Sequence, residues 1–148
     1  MKAWLLPLTV LVLALTMART GLAESTGNRP ARSVAQAFAE AVLARDATAL
    51  VPLFWLPANL DGERIAEPEA LEARWRAILS RSDLSQLSLV SIDVLPLATA
   101  VSRYGPPPQR LGELARDASV AIVRLNRAQL VLVIARQSDR WAIVAATD

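Results

Sequence analysis

The sequence predicts one α+β domain, with helices packed on a mainly antiparallel sheet, and three observations carry that prediction. Ala118 to Thr147 reads as three consecutive β-strands: Val120, Ile122 and Val123 open the run, Leu130 to Ile134 form its middle, and Trp141, Ile143 and Val144 close it. Leu125-Asn126-Arg127-Ala128 and Gln137-Ser138-Asp139-Arg140 separate these runs with turn-forming residues. Upstream, apolar residues recur at the three-to-four-residue spacing of amphipathic helices, which must cover a sheet. From Gln86 the period changes to two, the signature of a further strand.

The N-terminus reads as a leader rather than as part of the fold. Lys2 precedes the apolar run Ala3 to Leu15, and Gly21-Leu22-Ala23 presents small residues where a signal peptidase cuts, so residues 1–23 are read as a secretory signal peptide. An uncleaved membrane anchor is the rival reading, but a span needs about 20 apolar residues and Arg19 interrupts this one. No cysteine follows the run, which excludes a bacterial lipoprotein anchor. The expected product is therefore exported, periplasmic or secreted, and meets the membrane only if the leader stays attached. Of the 16 basic residues, Lys2 and Arg19 leave with the leader, and the remaining 14 balance the 14 carboxylates. The apparent basicity thus gives no argument for nucleic acid as a partner.

The missing residue types narrow the chemistry. With neither Cys nor His, the chain has no disulfide, thiolate nucleophile, imidazole general base, or cysteine or histidine metal ligand. Lys2 is its single lysine, which excludes a Schiff base or P-loop in the mature part. No cofactor is implied. Any catalysis falls to carboxylates, arginines, hydroxyls, Tyr104 or backbone amides.

In chain order, Glu24 to Arg32 reads as a flexible lead-in to a single domain over 33–148. Ser33 and Gln36 form a capping box for a first helix over Val34–Arg45, with Val34, Phe38, Ala41 and Val42 on one face. Asp46 caps a shorter second helix carrying Leu50, Leu53 and Phe54, kinked or shortened by Pro52. Pro57 to Gly62 reads as a turn, and Glu63 to Ala66 as a brief edge strand. Pro68 starts a helix reaching Ser80, where Leu71, Trp75, Ile78 and Leu79 form a clean stripe. Val90, Ile92 and Val94 alternate with Ser91 and Asp93 in a half-buried strand ending near Pro96. Thr99 to Tyr104 fits a strand or a short helix, Pro106-Pro107-Pro108 forbids regular structure, and Gln109 to Arg116 accommodates one or two helical turns.

The terminal strands are apolar on both faces, with Leu130, Leu132 and Ile134 opposing Val131, Val133 and Ala135. Three helices cover one face, so the other needs a second layer. A homodimer through that outer face supplies one. Residues 97–117 wrapping under the sheet supply the alternative.

The order of elements resembles the nuclear transport factor 2-like superfamily, which includes polyketide-cyclase-like and ketosteroid-isomerase-like proteins. The matching residues are Val34 to Phe38, Arg45 to Leu50, Asp61-Gly62-Glu63, Pro68 to Leu71 with Trp75, and the closing Arg136 to Val144. The resemblance implies a cystatin-like cone, in which helices pack against a strongly curved sheet, often with a pocket between them and often dimeric through the sheet. The superfamily mixes enzymes with non-catalytic modules, and neither the isomerases' Tyr and acidic residues nor the epoxide hydrolases' Asp-Arg-Asp set aligns onto specific positions here, so no catalytic residue is carried over.

Three polar residues are catalytic candidates. Asp93 is either a buried carboxylate serving as general base or a solvated strand residue. Arg124 interrupts an apolar run, and either clamps an anionic ligand, pairs with Asp93 or ends a strand. Tyr104 either donates into an oxyanion site or packs at a loop mouth. Trp55, Trp75 and Trp141 either line an apolar ligand pocket or pack the core, and Leu111 to Leu114 forms a lid, a partner contact or a plain loop. Two function classes follow: a non-catalytic exported module binding an apolar small molecule or a protein partner, and a small isomerase, hydratase or hydrolase. A membrane-anchored secretion component is a third.

Overall fold

The computed structural model describes residues 28–148, so the predicted leader and residues 24–27 lie outside the described residues. Helix α1 (Asn28–Leu43) begins six residues before the expected Val34. Pro30 explains part of this, since a proline is tolerated in a first helical turn, where the N–H has no helical partner. Ser33 is therefore no cap; its hydroxyl donates to the Arg29 carbonyl inside the helix, 3.1 Å away. Ala31, Ala35, Phe38 and Val42 are buried at helical spacing.

Asp46 caps α2 (Ala47–Leu50), its carboxylate accepting from the Ala49 N–H at 3.0 Å. A 3₁₀ turn over Val51–Leu53 contains Pro52, and the predicted helix stops there. Phe54 instead opens β1 (Phe54–Leu60), which overturns the reading of Pro57 to Leu60 as turn. The burial of Phe54, Ala58 and Leu60 has period two, and Pro57 falls where pairing with the neighbouring strand is broken, between Phe54 and Asn59. Asp61 and Gly62, both at positive φ, make the two-residue turn into β2 (Glu63–Ile65). Helix α3 (Pro68–Leu79) buries Leu71, Trp75 and Leu79 as its stripe predicts.

The remaining elements are β3 (Leu89–Pro96), α4 (Leu97–Tyr104), β4 (Ser119–Leu125), β5 (Gln129–Gln137) and β6 (Arg140–Thr147). The six strands form one sheet in the order β2-β1-β6-β5-β4-β3, antiparallel except for the β1–β6 pair. On the outer edge strand β3, Asn28 and Arg32 of α1 donate to the Val94 and Ile92 carbonyls. That contact ties the helix to the edge and occupies groups that would otherwise recruit another strand.

Two bulges reset the alternation. Leu89 pairs with Leu125 and Ser91 with Arg124, so Val90 is the extra residue and is 66% exposed instead of half-buried. Ile134 pairs with Ile143 and Val133 with Ala145, so Val144 is extra in β6. Ile143 consequently faces the main core while Ala145 faces the opposite side.

The inner face, with Ala121, Val123, Leu132, Ile134 and Ile143, packs against α1 and α3 in the main core. Phe38, Phe54 and Trp75 meet there with ring centroids 5.4 to 6.4 Å apart. The outer face is covered by the chain itself, through α4 and a 3₁₀ turn over Gln109–Leu111. Ala100 packs on Val120 and Ile122, and Leu111 packs on Val133, Ala135 and Ala145. The wrapping alternative thus supplies a layer over part of this face. Residues 97–114 form a strap over the sheet.

Candidate functional site

Beneath the strap lies a cavity of about 440 Å³. Its floor is the outer sheet face, with Val120 and Ile122 of β4 and Val131 and Val133 of β5. Its roof is Leu97, Ala100 and Val101 of α4, then Pro106 to Pro108, Leu111 and Leu114. These are the residues expected to be apolar on both sides of a buried strand, and here the second side partly packs under Ala100 and Leu111 and partly lines a space. The volume falls within the range of about 300–1,000 Å³ usual for small-molecule sites.

Three polar side chains enter the wall: Tyr104, Arg124 and Gln129. Arg124 and Gln129 are direct cross-strand partners in the β4–β5 hairpin, which puts both at one end of the floor. Tyr104 closes α4 and is 54% exposed, so its ring borders the opening and is not sealed in the core. Among the described residues, no carboxylate side chain lines the cavity.

Asp93 sits on the neighbouring strand, opposite Ile122, with its side chain on the outer face. It is not the buried, isolated carboxylate that a general base requires. Its side chain is 47% exposed and takes a hydrogen bond and ion pair from Arg124 Nη1. The structure thus brings Tyr104 and Arg124 to one cavity and attaches Asp93 to it only through Arg124.

The tryptophans do not line this cavity. Trp75 is buried in the aromatic cluster, and its Nε1–H has no hydrogen-bond partner among the described residues. It also walls two further spaces on the inner face, of about 220 and 420 Å³, where Ile78, Arg81, Leu130 and Asp148 recur. Trp55 is half-buried with the Arg140 guanidinium 4.6 Å above its ring, a cation–π contact. Trp141 packs against the main core.

The strap is held to the sheet mainly by side chains. Apart from the Leu97 N–H bonding the Ala118 carbonyl, its backbone hydrogen bonds are local, such as Gly105 to Val101 and Gly112 to Gln109. Arg110 provides the anchor: its Nε lies 2.7 Å from Thr147 Oγ1 and 3.0 Å from Asp61 Oδ1, and its Nη2 lies 2.7 Å from the Asp148 carbonyl oxygen. Asn59 Nδ2 donates to the Arg110 carbonyl at 2.7 Å. Sequence reasoning missed both Arg110 and Gln129. The hairpin register would have found Gln129, since it faces Arg124 across a four-residue connection; nothing local marks Arg110.

Among the described residues, no group of three or more carboxylates is placed to hold a metal ion, and no helix is long and apolar enough to cross a membrane.

No protein-family model matches the sequence, and no curated protein is significantly similar to it. Solved structures do match. A protein of unknown function from the DUF3225 family of Pectobacterium atrosepticum aligns with a TM-score of 0.53 at 16% identity, over 83% of this chain and 89% of the other. A nuclear transport factor 2-like protein of unknown function from Pseudomonas putida aligns with a TM-score of 0.51 at 13% identity, over 83% and 85%. At such identities the likeness speaks to architecture alone. The chain has the α+β fold of the nuclear transport factor 2-like proteins.

Proposed function

We propose that this protein is an exported, non-catalytic module that binds an apolar small molecule in the cavity between the strap and the outer sheet face. The carrying observation is that cavity: about 440 Å³, walled by aliphatic side chains, with three polar side chains among its lining. That composition supports a binding site, where a large apolar surface gives affinity and a few polar groups set orientation. Against the enzyme reading stands Asp93, a half-exposed carboxylate engaged by Arg124 and outside the cavity wall. Export is read from Lys2, the apolar run and Gly21-Leu22-Ala23.

Native mass spectrometry of the protein recovered from the exported fraction of its own host tests export and ligand binding together. The expected species begins near Glu24 and carries a small organic adduct. A mature species without adduct, which also fails to take up any apolar probe, overturns ligand binding and shifts the reading to a protein partner. A full-length mass overturns export as a cleaved product. The same spectrum reports whether the protein pairs with a second copy.

A further inference from the structure

We infer that the occupant of this cavity is an amphiphile with a carboxylate head, its tail under the strap and its head on Arg124. This rests on the ligand-binding reading above and specifies the ligand class.

The polar side chains in the wall all have hydrogens to offer. Arg124 is a donor only, Gln129 carries an amide NH₂, and Tyr104 has a phenolic O–H. Among the described residues no carboxylate side chain lines the cavity, and Asp93 beside it is already engaged by Arg124, so a cationic head would meet no free counter-charge there. The bond to Asp93 uses Nη1 of Arg124. The guanidinium retains its Nε and Nη2 donors, a fork suited to a second carboxylate. Asp93 lies outside the wall, so the pair presents its positive member to the cavity. Arg124 is 38% exposed, which places the head near solvent and leaves the enclosed space for a tail. An acid with an aliphatic or alicyclic tail matches both halves.

Asp93 then has a positioning role. It orients the guanidinium, and its negative charge tempers the attraction for a second anion. Asp93→Asn keeps an acceptor for Nη1 and removes that charge, so it should tighten binding of the acid.

Calorimetric titration of the mature protein with decanoate, decanol and decyltrimethylammonium at pH 8 tests the inference. Decanoate is expected to bind about tenfold more tightly than the alcohol, the gain of one charge-assisted contact, and the cation most weakly. Arg124→Met should erase the preference for the acid while retaining tail binding. Since Asp93 is already half exposed, water can replace the lost guanidinium and the fold should persist. Asp93→Asn should raise decanoate affinity several-fold and leave the alcohol unchanged. Equal binding of acid and alcohol by the wild type, or a preference that survives Arg124→Met, overturns the carboxylate head alone. Absence of binding by all three probes overturns the underlying ligand reading as well.

Discussion

Truncating Leu111 tests whether the strap is a separately yielding unit. Leu111 is buried against Ala118, Val133, Ala135 and Ala145, and borders the cavity. Leucine-to-alanine changes in cores cost about 2–5 kcal/mol, depending on how far the site can collapse. Two features place Leu111→Ala at the low end, about 2–3 kcal/mol. Its neighbours are small, and the strap's backbone hydrogen bonds are mostly internal, so it can settle without breaking sheet pairing. Leu132, fully buried in the main core, lacks that freedom and should cost about 4 kcal/mol. For a folded unit of this size the two losses correspond to roughly 10 °C and 16 °C in Tm, at about 4 °C per kcal/mol. Calorimetry reads the magnitudes. Amide hydrogen exchange reads the distribution, because Gly105, Leu111 and Gly112 should exchange faster in Leu111→Ala while β4 to β6 keep their protection. Equal losses for the two variants, with strap amides opening only through global unfolding, would refute the separation of strap from sheet.

Three further outcomes follow from the same contacts. Arg110→Ala removes the anchor to Asp61, Thr147 and Asp148; because Arg110 is about half exposed, the expected loss is about 1–2 kcal/mol in chemical denaturation, with weakened decanoate binding. Asp46→Ala deletes the α2 cap and should cost about 1 kcal/mol, whereas Asp46→Asn should be nearly silent. Trp75→Ala empties the aromatic cluster and should cost about 3–5 kcal/mol by denaturant midpoint, while leaving ligand affinity of the residual folded protein unchanged, since Trp75 does not line the strap cavity.

Much of the architecture was legible because it follows periodicity. The α3 stripe, the Asp61-Gly62 turn and the three closing strands are local patterns whose meaning does not depend on the rest of the chain. Where reading failed, two patterns competed. Leu50, Leu53 and Phe54 match helical spacing as well as Phe54, Leu56, Ala58 and Leu60 match a strand, and Pro57 favoured the turn until a pairing break accommodated it. Ser33 and Gln36 imitate a helix start inside a helix. The bulges at Val90 and Val144 are properties of strand pairing, invisible in either strand alone. The doubly apolar strands correctly required a second layer. Its source depended on Leu97 to Leu114 folding back over the sheet, which three consecutive prolines obscured. Tyr104 and Arg124 stood out as chemically isolated, but only that fold-back brings them to one cavity.

Methyl NMR during titration with decanoate tests the central claim most directly. Shift changes concentrated on Val120, Ile122, Val131 and Val133, with Ile78, Leu87 and Leu130 of the inner spaces unmoved, are the predicted result. Changes confined to the inner residues, or none at saturating probe, would contradict the assignment of the site to the strap cavity.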